Sequence, residues 1–136
     1  MTREDLKNYR NSEDWIKGRI EYIKEYQESI TSIQNILSDM PKSKSPYQDK
    51  IAEKLATLYE YVDEVLDKVL IQKDQQVKLL NLIGKIEYPY KLILEKEFIQ
   101  GKTLVTVASE MGYSYERMKH MNGIALLKFD ELEEDK

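Results

Sequence analysis

Apolar residues recur along the first half of this chain at the spacing of two long helices. Ile51, Leu55, Leu58, Val62, Val65 and Val69 are separated by alternating steps of four and three, the signature of a helix with one buried stripe. Upstream, Ile16, Ile20, Ile23, Gln27, Ile30, Gln34 and Leu37 follow the same alternation. Ser12 offers an N-cap oxygen ahead of Glu13 and Asp14, whose charge suits the positive end of a helix. The first helix is therefore predicted from Ser12 to about Asp39, where Met40-Pro41 ends it, because proline disfavours a helical residue before itself. The second is predicted from Ser45-Pro46-Tyr47-Gln48, with serine as N-cap, proline at N1 and glutamine at N3, to about Lys73.

Folding the chain back at Pro41–Lys44 brings the stripes together in pairs: Ile16 with Val69, Ile20 with Val65, Ile23 with Val62 and Ile30 with Leu55. The residue numbers of every pair add to the same total, as antiparallel helices require. Gln27 and Gln34 are the imperfections, facing Leu58 and Ile51. A second apolar row flanks each stripe: Tyr26, Ile33 and Ile36 on one helix, Tyr59, Leu66 and Leu70 on the other. Two helices alone cannot cover both rows. Either the C-terminal part packs there, or a second copy of the hairpin does, making a homodimer of four-helix type.

The pattern changes after Lys73. Asp74 can cap a shorter helix carrying Val77, Leu80, Ile83 and Ile86, broken at Glu87-Tyr88. Pro89 then stands at N1 of a helix with Tyr90, Ile93, Leu94 and Phe98 on one side, ended by Gly101. Thr103 caps a short helix whose face is Leu104, Val107, Ala108 and Met111. Gly112 supplies the positive φ of a tight turn without strain. Tyr113 packs into that turn, and Ser114 caps a helix with Met118 and Met121 turned inward. Ala108 is small where the two helices cross. This is a helix-turn-helix, and it leaves Tyr115, Glu116, Lys119, His120 and Gly123 on the outer face of its second helix. In DNA-binding units of this kind that face enters the major groove. The expected fold is all-α: a helical hairpin over 1–73, then a linker helix and a trihelical DNA-binding unit over 74–136, with a recognition helix at about 115–128.

Composition narrows the chemistry. The 136 residues contain no cysteine and one histidine, His120, so thiolate or zinc sites and histidine-based catalysis are not expected. No enzyme activity, cofactor or metal is expected. No run of eighteen apolar residues suggests a membrane span, and the charged opening Met1–Asp5 does not read as an export signal; the chain reads as cytoplasmic. The net charge is −4, whereas nucleic-acid affinity comes largely from cations that displace counterions from phosphate. The charge is uneven. Residues 101–128 hold Lys102, Arg117, Lys119 and Lys128 against Glu110 and Glu116, and the acids Asp130, Glu131, Glu133, Glu134 and Asp135 follow.

The segments Tyr90–Leu94, Phe98–Ser114 and Ala125–Phe129 resemble the C-terminal promoter-reading domain of bacterial sigma factors. Together with the long helical first half, they resemble more closely the ArpU/RinA-type transcriptional regulators of phages and prophages of Gram-positive bacteria. The resemblance covers roughly Asp74 to Leu132. It implies a trihelical unit whose third helix reads DNA, and a role in activating late phage genes. Members tend to carry Arg-Leu-His where this chain has His120-Met121-Asn122, so the identity of the bases read does not carry over. The expected function is sequence-specific binding of double-stranded DNA, with Arg117, Lys119 and His120 leading the contacts. Ser114, Tyr115, Glu116 and Gly123 complete the surface, Tyr115 and Glu116 tuning base choice.

Other signals weigh less. Gly101-Lys102-Thr103 matches the end of a phosphate-binding loop, but Lys96 stands where that loop needs its first glycine. The carboxylate pairs Asp63-Glu64 and Glu133-Glu134 read as solvated helix surface. The ten tyrosines read as core and interface rather than a base-stacking platform. Two other functions fit the same elements. One is a DNA-packaging protein like a terminase small subunit, which should form a ring. The other is a helical interaction module, for instance one that binds RNA polymerase, which needs no basic outer face.

Overall fold

The structure, a computed structural model, describes residues 1–39 and 47–132, the side chains of 47 and 48 excepted. The Pro41–Lys44 turn, the Ser45-Pro46 cap and the acids Glu133–Asp135 lie outside the described residues. All regular structure among the described residues is helical: α1 (Arg3–Ser38), α2 (Tyr47–Ile83), α3 (Tyr90–Leu94) continued by a π turn (Glu95–Ile99), α4 (Leu104–Met111) and α5 (Tyr115–Asp130). A long helical hairpin, α1 against α2, precedes the shorter helices.

The chain forms two compact units. One is Trp15–Leu70, the body of the hairpin. Its helices run antiparallel in the register expected from the stripes. Lys68 lies over the Trp15 ring, Tyr61 meets Tyr22 and Tyr26 at ring-centroid distances of 5.6 and 5.9 Å, and Lys54 lies over Tyr26. Ile16, Ile30, Leu58 and Val65 are buried along the seam, whereas Gln27 and Gln34 are exposed. The tyrosines therefore pack with one another, and cations cover their faces, with Arg19 lying between Trp15 and Tyr61. Of the second apolar row, Tyr26 and Ile33 are half-buried, while Ile36, Tyr59, Leu66 and Leu70 are each more than half exposed.

The other unit joins Met1–Asp14 to the chain from Ile71 onward, and here four expectations are corrected. First, α1 begins at Arg3, nine residues before the expected cap at Ser12. The N–H of Thr2 donates to Asp5 Oδ2 at 2.8 Å, half of a capping box. Second, α2 runs without a break to Ile83, so Asp74 caps nothing. The physical reason is the same for both. The heptad continues backward from Ile16 through Glu13 and Tyr9 to Leu6, and forward from Val69 through Gln72 and Gln76 to Leu79 and Ile83. Leu6 and Leu79 belong to one buried cluster, and their numbers add to the same total as the pairs in the hairpin. Between them the seam is polar but satisfied: buried Gln72 donates from Nε2 to the Tyr9 carbonyl at 3.1 Å, and the Tyr9 hydroxyl reaches Glu13 at 3.2 Å. Burial, then Glu13, pushes the Tyr9 phenol up to about 12.

Third, the buried face at the end of α2 is Leu79, Leu82 and Ile83, joined by Ile86 from the turn that follows, while Val77 stays exposed and Leu80 half-exposed. Continuation of the heptad sets that face, rather than a fresh helix starting at Asp74. Fourth, Pro89 is the N-cap of α3 rather than its first residue. The helix that follows ends in a wider turn, where the Gln100 N–H donates to the Glu95 carbonyl at 3.0 Å. Gly101, at φ 72°, closes it. The core of the unit gathers Leu6, Tyr9, Leu79, Ile83, Leu94, Phe98, Ala125 and Phe129. Arg3 is tied to the far end of α5 by two bonds to Asp130, from its N–H at 2.7 Å and its Nε at 2.6 Å.

Candidate nucleic-acid interface

The segment from Thr103 to Asp130 folds as its residue types dictate. Thr103 Oγ1 accepts from the Thr106 N–H at 3.3 Å and starts α4. The helix ends at Gly112, whose backbone is left-handed at φ 74° and ψ 26°. The Tyr113 N–H donates back to the Ala108 carbonyl at 2.9 Å, and the Gly112 N–H to Ser109 at 3.4 Å. This paired closure satisfies carbonyls that a helix end would otherwise orphan, and a side chain at Gly112 would strain it. Ser114 Oγ then accepts from the Arg117 N–H at 3.2 Å and starts α5. Val107, Ala108, Met118 and Met121 form a second buried cluster with Ile93 of α3, and Leu104, Met111 and Tyr113 pack against it. The residues expected to fix α5 against α4 are those that do so.

Every expected contact residue lies where solvent reaches it. Ser114, Tyr115, Glu116, Arg117, Lys119, His120 and Gly123 are all exposed. They do not share one line. At 3.6 residues per turn, Arg117 and Lys119 lie about 160° apart around the axis of α5. Glu116, His120, Gly123 and Leu127 form the crest between them. Arg117 covers the Tyr113 ring at 4.8 Å, on the turn side. Lys119 lies over Tyr115 at 5.1 Å and within 3.6 Å of Glu116 on the other side.

Of the four bases in residues 101–128, two are held by carboxylates away from the crest. Lys102 donates to both oxygens of Glu110, at 2.7 and 3.0 Å, and Lys96 joins at 2.8 Å. Hydrogen bonds from Lys102, then Lys96, hold the Glu110 carboxyl below its ordinary range. Lys102 thus pairs within the fold, as a helix-end residue rather than a phosphate-loop lysine. Lys128 is bonded to Glu87 at 2.8 Å, which raises its own pKa.

A shallow groove of about 450 Å³ runs along the later part of the crest, lined by Arg3, Lys119, His120, Gly123, Ile124 and Leu127. Sequence reading missed three parts of it. Ile124 and Leu127 stand four and seven residues after His120, spacings that put them on its face. Arg3 carries no such signal, because only the packing of α1 in this unit brings it to α5. Partial burial alone would push the Asp130 carboxyl up, but the bonds from the Arg3 backbone and guanidinium outweigh it and hold the acid below its ordinary range. Gly123 stands mid-helix, and beyond its two neighbours and the adjoining helix backbone no described atom lies within 4 Å of where a Cβ would project. Glycine costs about 1 kcal/mol relative to alanine in a helix interior, and no packing within the chain calls for it here.

Among the described residues, no helix is long and apolar enough to cross a membrane. No family model matches the chain, and neither the curated proteins nor the solved structures yield a match.

Proposed function

We propose that this protein binds double-stranded DNA sequence-specifically through α5 and acts as a transcriptional regulator of the phage and prophage type. The observation that carries the reading is the α4–turn–α5 corner itself. Its two caps, its left-handed glycine and its small residue at the crossing hold α5 against α3 and α4. The opposite face of α5 is exposed along Glu116, His120 and Gly123. A rigid helix presented in this way suits the major groove. Arg117 and Lys119, on opposite flanks of the crest, then reach the phosphates on either side of the groove, and His120 and Glu116 face base edges. Ser114 and Tyr115 lie at the end of α5 that leads into the groove.

A second copy supplies the affinity that the overall charge withholds. Ile36, Tyr59, Leu66 and Leu70 form the uncovered row of the hairpin, and a dimer through that row links two DNA contacts into one binding event.

One observation favours a protein partner such as RNA polymerase instead: the crest of α5 carries an acid, Glu116, and an exposed Leu127. A titration of duplex DNA spanning the protein's own promoter, at low and moderate salt, separates the two. The DNA reading predicts binding that the Arg117→Ala/Lys119→Ala double variant weakens for all sequences. Equal binding by both proteins, or none by either at low salt, would give first place to the protein partner.

A further inference from the structure

We infer that the groove between the start of α1 and the middle of α5 seats one sugar-phosphate strand of the bound duplex, with Arg3 and Gly123 as its two determinants. The inference rests on the DNA reading of α5 and extends it to a residue outside the helix-turn-helix. The groove joins Arg3 to Lys119 and His120 around Gly123, Ile124 and Leu127. Its cationic groups thus come from two elements far apart in sequence, and its floor is apolar, as a deoxyribose edge requires.

The state of each group fits that occupant. Asp130 takes the Arg3 N–H and Nε, at 2.7 and 2.6 Å. The guanidinium is thereby fixed in direction while its two terminal nitrogens remain outside the bond to Asp130. A guanidinium held in this way can still offer a phosphate two parallel donors. Asp130 offsets its charge in the free protein, so removing the guanidinium would leave that carboxylate uncompensated beside the phosphate. Lys119 lies over the Tyr115 ring and reaches Glu116 only at 3.6 Å, and about half of its side chain is exposed. Gly123 is the second determinant. A glycine that the fold does not need, on the floor of a groove rimmed by cations, allows a backbone to approach α5 more closely than any other residue would permit.

The two determinants respond oppositely in stability, which keeps the test decisive. Gly123→Ala should raise the melting temperature, since alanine is the better helix former and meets open space, yet it should weaken DNA binding by about fivefold or more. Arg3→Gln should weaken binding by about eightfold at 0.1 M salt and flatten the log–log salt dependence by about 0.9, the effect of one lost phosphate contact. Melting curves of both variants, taken alongside, establish that the folded chain is what binds.

If the Arg117→Ala/Lys119→Ala variant loses affinity while Arg3→Gln and Gly123→Ala bind as tightly as the parent, the groove is not a strand seat and the DNA reading stands. If the parent itself does not bind duplex DNA at low salt, both fall together. A Gly123→Ala protein that is stabilised and weakened in binding, with the flatter salt slope of Arg3→Gln, is the result expected.

Discussion

Glu97 is the most consequential single side chain in the unit that holds α5. It sits in the π turn after α3, is 7 % exposed, and has one oxygen, Oε2, without a hydrogen-bond partner. Burial pushes its carboxyl up to about 7, against the pull of Arg10 at 3.8 Å and of Lys7. The sign follows from linkage. Between its ordinary value near 4.5 and about 7, the folded chain keeps a proton that the unfolded chain has released, so stability falls as pH rises through that window. The loss for this one group is about 3 kcal/mol in all. Glu110 and Asp130 are shifted the other way, and their contributions are lost only below the ordinary carboxylate range. Glu97→Gln should therefore flatten the decline between pH 5 and 7 and leave the variant more stable than the parent at pH 8. Denaturant midpoints of the two proteins across that range check this, and parallel curves would contradict it. Ala108 is constrained by space instead. Buried where α4 crosses α5, it should tolerate leucine poorly, at about 1–3 kcal/mol of stability, read as a lower thermal midpoint.

At the scale of elements, the helix-turn-helix was legible because each of its residues has one local reason to be there. Thr103 and Ser114 cap, Gly112 turns left-handed, and Val107, Ala108, Met118 and Met121 face inward. The hairpin was legible in register but not in length. Ser12 and Asp74 are good caps standing at the points where the seam becomes polar, at Glu13, Gln72 and Gln76, so the apolar pattern ends there although the helices do not. Tertiary hydrogen bonds, Gln72 to the Tyr9 carbonyl among them, carry the seam across that layer, and such bonds leave no periodic trace. The groove was hidden for a related reason: 127 positions separate Arg3 from Asp130. Within the hairpin, Val65 is the sharper probe of burial, being 6 % exposed where Val62 is only half-buried. Val65→Asp should cost about 3 kcal/mol or more, because it buries a charge with no partner. An unchanged melting temperature would show the seam to be open.

At the scale of the molecule, the proposed reading assigns a second copy to the uncovered row on the hairpin and a duplex to the exposed crest of α5. Tyr59, Leu66 and Leu70 are 64, 54 and 66 % exposed, side chains that water penalises at about 25 cal/mol per Å² of apolar surface. Sedimentation at tens of micromolar should give a dimer, and Leu66→Glu/Leu70→Glu should return it to a monomer with the helical signal intact. A monomeric parent would remove the dimer from the account, and a closed ring of many copies would favour the packaging protein.

The central claim, that α5 reads base sequence, is tested most directly by selecting bound sequences from a pool of random duplexes with the full chain at moderate salt. One enriched motif is expected, altered at a single position by His120→Ala and left unchanged in sequence, though recovered in lower yield, by Arg117→Ala. That division separates base reading from phosphate contact. A pool that stays random after repeated selection, with the protein folded throughout, would contradict the claim.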